Sequence, residues 1–355
     1  MVESLYIHIP FCKQKCLYCD FNSFKGKENL IDSYMEALYK ECARFSFNEL
    51  KTIYIGGGTP SFIESKYIVR LLTILPKAKE VTIEMNPCTV TREKLEDYKL
   101  AGVNRISMGL QTTNDVILKE IGRVHTLEDF EKAYTLIKEV GFENVNADLM
   151  FGLPSQTLED VKNSLDYLIE KNPTHISCYS LILHNDIFKN LPSDETEREM
   201  YYLTKERLKE AGYEQYEISN FSKLGYESKH NMACWNQEEY IGLGAGASSY
   251  VDNMRYTNER NIEKYIEKIN NEEDIRDIEE VQDEDAKVRE YMILKLRTLQ
   301  GIDINYANEK FEMEKRFEKE ILKLINQGLL KIEEGYLRLT EKGLDFANIV
   351  WEEFI

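Results

Sequence analysis

The chain has 355 residues, 43% of them apolar and 30% charged, with only 7 Pro and 18 Gly; this is an ordinary globular composition, long enough for one barrel-sized domain and a smaller appendage. A formal charge of −18 excludes a broad phosphate-binding surface, because nucleic-acid affinity comes from neutralising phosphates with Lys and Arg. No apolar run approaches the roughly 20 residues that span a bilayer, and Met1-Val2-Glu3 lacks the basic start of an export signal. The expectation is a cytoplasmic chain with no nucleic-acid partner and no stable membrane insertion.

Short apolar, partly β-branched runs at Ser4 to Ile9, Lys51 to Ile55, Glu80 to Met85, Asn104 to Met108, Asn144 to Met150 and Thr174 to Leu181 read as strands. Between them, Ile31 to Phe45, Lys66 to Leu75, Arg92 to Leu100, Leu127 to Val140 and Leu158 to Glu170 have helical periodicity. Repeated βα units make a parallel sheet with right-handed crossovers. Six of them predict an α/β fold, a partial (β/α)6 barrel over residues 1–185, with chemistry at the C-terminal ends of the strands. The alternation then fades into a long helix at Asp194 to Ala211 and an aromatic-rich stretch, so residues 186–269 read as an extension of the barrel. Residues 270–285 read as an acidic linker. Residues 286–355 read as a small helical, winged-helix-like domain, for which the acidic balance favours a packing or lid role over DNA binding.

Cys12, Cys16 and Cys19 fall in one short loop directly after the first strand; the other cysteines, 42, 88, 178 and 234, are scattered. An odd count in a chain this large argues against a disulfide framework. Three thiolates could serve three irons of a four-iron cluster and leave the fourth open to a chelating ligand. Zinc is the rival, but a structural zinc site closes with four ligands, and no second Cys pair stands at suitable spacing.

The spacing Cys12-x3-Cys16-x2-Cys19, with Tyr18 before the last cysteine, resembles the radical S-adenosylmethionine (SAM) signature. Tyr6-Ile-His-Ile-Pro-Phe-Cys12 and Cys19-Asp-Phe21 narrow the resemblance to the HemN/HemW group, the oxygen-independent coproporphyrinogen III oxidases and their heme-chaperone relatives. The resemblance implies a [4Fe-4S] cluster on Cys12, Cys16 and Cys19. It also implies SAM chelating the fourth iron, with reductive cleavage giving a 5′-deoxyadenosyl radical. Further matches follow in chain order, most of them at strand ends. Gly57-Gly58-Thr59 resembles the methionine-binding segment, and Glu84 the ribose-contacting acid. Gln111 and Asp148 match cofactor contacts, Arg123 the residue that forks onto the methionine carboxylate, and Ile182 an apolar wall. Tyr6, Tyr18 and Ser248, the last in Gly242-Leu-Gly244-Ala-Gly246-Ala247-Ser248, are assigned to the cofactor site on the same ground. Leu296-Arg297 and Gly301-Ile302-Asp303 carry the match into the C-terminal part.

Two departures from the oxidase pattern point to the chaperone branch. Oxidases of this group have a further cysteine two residues after the third ligand, where this chain has Phe21. They also carry an N-terminal extension, whereas the first strand here begins within a few residues of Met1. His230-Asn231-Met-Ala-Cys234-Trp235 resembles the chaperones' His-Asn-x-x-Tyr-Trp motif, with Cys in place of Tyr. Imidazole and thiolate both ligate heme iron, so His230 and Cys234 are the candidate heme contacts. The reading is therefore a SAM-binding heme chaperone that receives electrons from a donor such as flavodoxin or ferredoxin and hands heme to an acceptor protein. Oxidative decarboxylation of coproporphyrinogen III remains the alternative, and a radical enzyme acting on tRNA is disfavoured by charge.

Overall fold

The computed structural model describes residues 2–182 and 187–355; the expected boundary between residues 185 and 186 lies outside them. Six βα units come first: β1 (Ser4–Ile9), α1 (Ile31–Cys42), β2 (Leu50–Gly57), α2 (Ser65–Ile74), β3 (Ala78–Met85), α3 (Arg92–Ala101), β4 (Arg105–Gln111), α4 (Asp115–Glu120), α5 (Leu127–Val140), β5 (Asn144–Phe151), α6 (Leu158–Lys171) and β6 (His175–Ser180). The six strands pair in parallel, in sequence order. This is the partial (β/α)6 barrel that the strand and helix periodicities predict. α5 and α6 each begin at a Thr-x-x-Asp capping box, Thr126 with Asp129 and Thr157 with Asp160, which satisfies otherwise orphaned backbone donors.

Alternation along the strands decides what faces where. Ile53 and Ile55, Val81 and Ile83, Ile106 and Met108, Val145 and Ala147, and Ile176 all enter the apolar core under the helices. The residues between them, Tyr54, Glu84, Arg105, Ser107, Asn146, Asp148 and Ser177, line a cavity on the concave side. A side-chain period of two along a strand puts these sets on opposite faces.

The sheet continues beyond the barrel on both sides. After α7 (Asp194–Glu210), β7 (Glu214–Glu217) and β8 (Asn220–Ser222) add antiparallel strands beyond β6. α8 (Lys229–Trp235) follows, and β9 (Tyr240–Leu243) then joins the other edge, parallel to β1. β10 (Ser248–Val251), β11 (Met254–Asn258), α9 (Ile262–Asn270) and β12 (Arg276–Val281) complete a 12-stranded sheet. The acidic stretch expected as a linker thus contains an edge strand. All six residues of β12 are exposed, and an edge strand can be charged on both faces because its stability comes from backbone pairing to β11.

The C-terminal unit has its own core around Met292, Leu296, Leu324, Leu337 and Val350. It comprises α10 (Glu284–Arg297), β13 (Ile302–Asp303), α11 (Ile304–Phe311), α12 (Met313–Asn326), β14 (Leu330–Glu333), β15 (Tyr336–Leu339), α13 (Glu341–Asp345) and α14 (Ala347–Glu352). Its three strands form a small wing, ordered β13-β15-β14. The unit is tied to the barrel by Arg198 and Tyr202 of α7, which donate to Asp345 at 2.6 and 2.8 Å.

Glu41 of α1 joins the barrel to its extension. It is 2% exposed and accepts from Gly244 N at 2.8 Å, Asn258 Nδ2 at 2.8 Å and Tyr265 Oη at 2.5 Å. Burial nevertheless pushes its carboxyl from 4.5 up to about 7. Because the folded value is raised, the unfolded chain releases this proton first, so the wild type loses stability as pH rises from about 4.5 to about 7. The loss is about 3 kcal/mol at most. Glu41→Ala is expected to unfold at lower temperature at pH 5, having lost three buried hydrogen bonds, and to lack that pH slope. Thermal unfolding of both proteins between pH 5 and 8 measures it.

Candidate cofactor site

The loop after β1 carries its three cysteines back across the ends of the strands. Cys12 N donates to Phe24 O at 2.9 Å, Leu17 N to Ile121 O at 3.1 Å and Cys19 N to Cys16 O at 3.2 Å, so both ends and the middle of the loop are held by backbone. β2 ends against it, with Gly58 N donating to Ile9 O and Thr59 N to Phe11 O, both at 2.9 Å. That approach requires glycine. A Cβ on Gly58 would lie 2.9 Å from Phe11 O and 3.0 Å from Cys12 Sγ, and one on Gly57, at φ +114°, would lie 2.6 Å from the His8 ring.

Beneath the loop is a cavity of about 380 Å³. Its lining includes the three cysteines and nearly all the strand-end residues singled out above: Tyr18, Gly57, Gly58, Thr59, Glu84, Gln111, Arg123 and Asp148. Cys12 Sγ is 3.5 Å from Thr59 Oγ1 and Cys19 Sγ 3.9 Å from Ser23 Oγ. Burial raises both thiols above their ordinary value. Arg123 spans the chamber, with Nη1 3.7 Å from Cys16 Sγ and Nη2 donating to Gly109 O at 3.0 Å.

The carboxylates lie deeper. Glu84 accepts from Tyr54 Oη at 2.8 Å and from Gly57 N at 3.1 Å, and burial pushes it up to about 7. Asp148 accepts from Asn146 Nδ2 at 2.7 Å and is also raised, chiefly by burial. Gln111 sits at φ +71° beside an irregularity in the pairing of β4 with β5, and Tyr179 Oη donates to its Oε1 at 3.3 Å. Such a conformation is uncommon for a residue other than glycine, and it turns the Gln111 amide into the cavity.

Known proteins resemble this chain over its whole length. The family model described as the Radical SAM superfamily matches residues 6–168, and the one described as the HemN C-terminal domain matches residues 282–346. The heme chaperone HemW of Lactococcus lactis is 38% identical over 99% of this chain and 97% of its own. The heme chaperone HemW of Bacillus subtilis is 37% identical over 100% and 99%. This chain belongs to the HemW family of radical SAM proteins. The structure of Escherichia coli coproporphyrinogen III oxidase (HemN), described as a radical SAM enzyme, superposes with a TM-score of 0.87 over 99% of this chain and 89% of that one. At 22% identity this shows that HemW-family chains and HemN share the fold.

Several residues singled out in this HemW-family sequence lie away from the cavity. Tyr6 stands behind Tyr54, ring centroids 6.2 Å apart, and its hydroxyl bonds His8 Nδ1 at 2.9 Å. Ile182 is 70% exposed. Ser248 lies on β10, bonded to Thr257 Oγ1 at 3.0 Å. His230, the candidate heme contact, is enclosed. It is 6% exposed, with Nδ1 2.9 Å from Thr52 Oγ1, its ring 5.2 Å from that of Tyr54 and its backbone N donating to Glu80. Burial lowers its imidazole to about 4. Cys234 is half-buried, and burial pushes its thiol up to about 12. From the same segment Asn231 reaches the cavity, and Trp235 lies under the Arg297 guanidinium, 4.5 Å from ring centroid to Cζ.

Cavity residues that motif matching passed over are Tyr54, Arg105, Ser107, Asn146, Ser177 and Asn220. For the five on β2, β4, β5 and β6 the signal was the polar half of the strand alternation. The enclosure of His230 has a direct consequence. His230→Ala is expected to lower the unfolding free energy by roughly 2–4 kcal/mol through a buried void and an unpaired Thr52 hydroxyl, with heme affinity unchanged. Denaturant unfolding and a heme titration of the same variant check both halves.

Proposed function

We propose that this chain holds a [4Fe-4S] cluster on Cys12, Cys16 and Cys19, binds SAM beneath it, and carries heme to an acceptor protein in the cytoplasm. The observation that carries the reading is full-length similarity to proteins named as heme chaperones, joined to a three-cysteine loop over a polar cavity. When bound, a cluster of this kind supplies an electron to the sulfonium of SAM, received from a donor such as flavodoxin or ferredoxin.

The chain's own residues do the binding and orienting. Arg123, beside Cys16, presents a planar fork to the methionine carboxylate. Gly57 to Thr59 leave room for backbone to approach the ligand, Glu84 accepts from ribose hydroxyls, and Gln111 and Asp148 complete the polar wall. Because burial holds Glu84 at about 7 and a cation with hydroxyl donors favours the ionised acid, SAM binding releases this proton. Affinity for SAM is therefore expected to rise with pH up to about 7, by at most about tenfold per unit, and to lose that dependence in Glu84→Gln. Calorimetric titration at pH 6, 7 and 8 measures it.

The functional test is heme transfer. The cluster-loaded chain, charged with one heme and mixed with an apo-hemoprotein, is expected to give up its heme. In parallel, anaerobic incubation with coproporphyrinogen III, reductant and SAM is expected to give no protoporphyrinogen above a Cys16→Ala control. Protoporphyrinogen formation above that control would overturn the chaperone reading in favour of oxidative decarboxylation.

A further inference from the structure

We infer that Arg105 is a carboxylate-binding residue at the floor of the cavity and that it takes a propionate of the tetrapyrrole. This rests on the heme reading given above. Arg105 opens β4 and is 2% exposed, yet its Nε has no partner, and its guanidinium enters no hydrogen bond or ion pair among the described residues. Its charge favours the ionised forms of Glu84 and Asp148, although neither makes an ion pair with it. A buried guanidinium Nε with nothing to donate to is costly. The cavity that reaches it is where the missing acceptor would enter.

Its place in the strand separates it from Arg123. Arg105, Ser107 and Gly109 share one face of β4 and all line the cavity. Four residues of strand put the backbone of Arg105 roughly 13 Å below that of Gly109. Arg123 occupies the Gly109 end, against Cys16, whereas Arg105 enters the chamber from the other end of the strand. The chamber thus has one guanidinium at the cluster and a second, unpaired one at the floor. A ligand filling both ends would need two carboxylates, or two ligands one each. A tetrapyrrole propionate is a carboxylate on a flexible two-carbon arm, whose reach the long Arg105 side chain extends. The guanidinium fork matches it bidentately. Asn220 Oδ1, in the same cavity and also without a partner, accepts from a water carried by that carboxylate.

The test is a titration of the full-length, cluster-loaded chain with heme and with heme dimethyl ester, in which both propionates are masked, followed at the Soret band. Wild type, Arg105→Gln and Arg105→Lys are compared, with SAM affinity and unfolding temperature measured on each. The wild type is expected to prefer heme by at least about tenfold, the worth of one charge-assisted pair. Arg105→Gln should bind heme no better than the ester while its affinity for the ester and for SAM stays at the wild-type level. Arg105→Lys, which keeps the charge but not the fork, should recover part of the preference; it decides the question if the Gln variant does not fold. Equal preference in wild type and both variants would overturn the inference. So would loss of SAM binding with the heme preference intact, which would make the methionine carboxylate the occupant. A wild type that binds heme and ester equally sinks the subsite alone, whereas one that binds neither sinks the heme reading and the subsite with it.

Discussion

The constraint on which the rest of this structure depends is the polar inner face of its barrel. Six parallel strands in a closed α/β barrel usually fill their interior with branched apolar side chains. Here the inward row reads Tyr54, Glu84, Arg105, Ser107, Asn146, Asp148 and Ser177. Groups of this kind, taken out of water, must find partners. Some find each other: Asn146 Nδ2 bonds both Ser107 Oγ and Asp148, at 2.8 and 2.7 Å. What they leave over is a water-accessible chamber whose remaining hydrogen-bonding capacity faces the cysteine loop. An open barrel tolerates this because its walls are stabilised from outside, by the apolar row under the helices.

The same constraint explains how charge is distributed. A chain with net charge −18 places two arginines, 105 and 123, in its principal cavity and a third, Arg297 of the C-terminal unit, at its margin. Arg297 is neutralised by Glu217, 2.8 Å away, and braced on Trp235. The C-terminal unit therefore contributes to the chamber wall, and the His-Asn-x-x-Cys-Trp segment packs between it and the barrel. From that segment Asn231 lines the chamber and Trp235 braces Arg297, while the imidazole of His230 is held by Thr52.

Much of this was legible in the residues alone. The strand runs match because six short β-branched segments alternate with amphipathic helices, and the helices from Leu127 and Leu158 begin where Thr caps stand. The convergence of the cysteine loop with the strand ends was legible because close approach demands glycines at 57 and 58, and the motif residues Glu84, Gln111, Arg123 and Asp148 line one cavity. The strands after residue 213 were not. β7 to β11 are three to five residues long, too short to show a period, and exposed β12 carries a charge pattern that reads as linker. The surroundings of His230 were not legible for a different reason. A motif names residue types, whereas whether an imidazole faces a ligand or a threonine depends on how α8 packs on β2.

The claim that most directly tests this account is that the loop holds a four-iron cluster with one iron open to SAM. Electron paramagnetic resonance of the anaerobically reconstituted and reduced chain, recorded before and after SAM is added, addresses it without requiring turnover. The account predicts a reduced-cluster signal whose g values shift on adding SAM, and an unshifted signal in Arg123→Ala at the same SAM concentration. A wild-type signal indifferent to saturating SAM, or a reconstituted chain carrying zinc and no such signal, would contradict it.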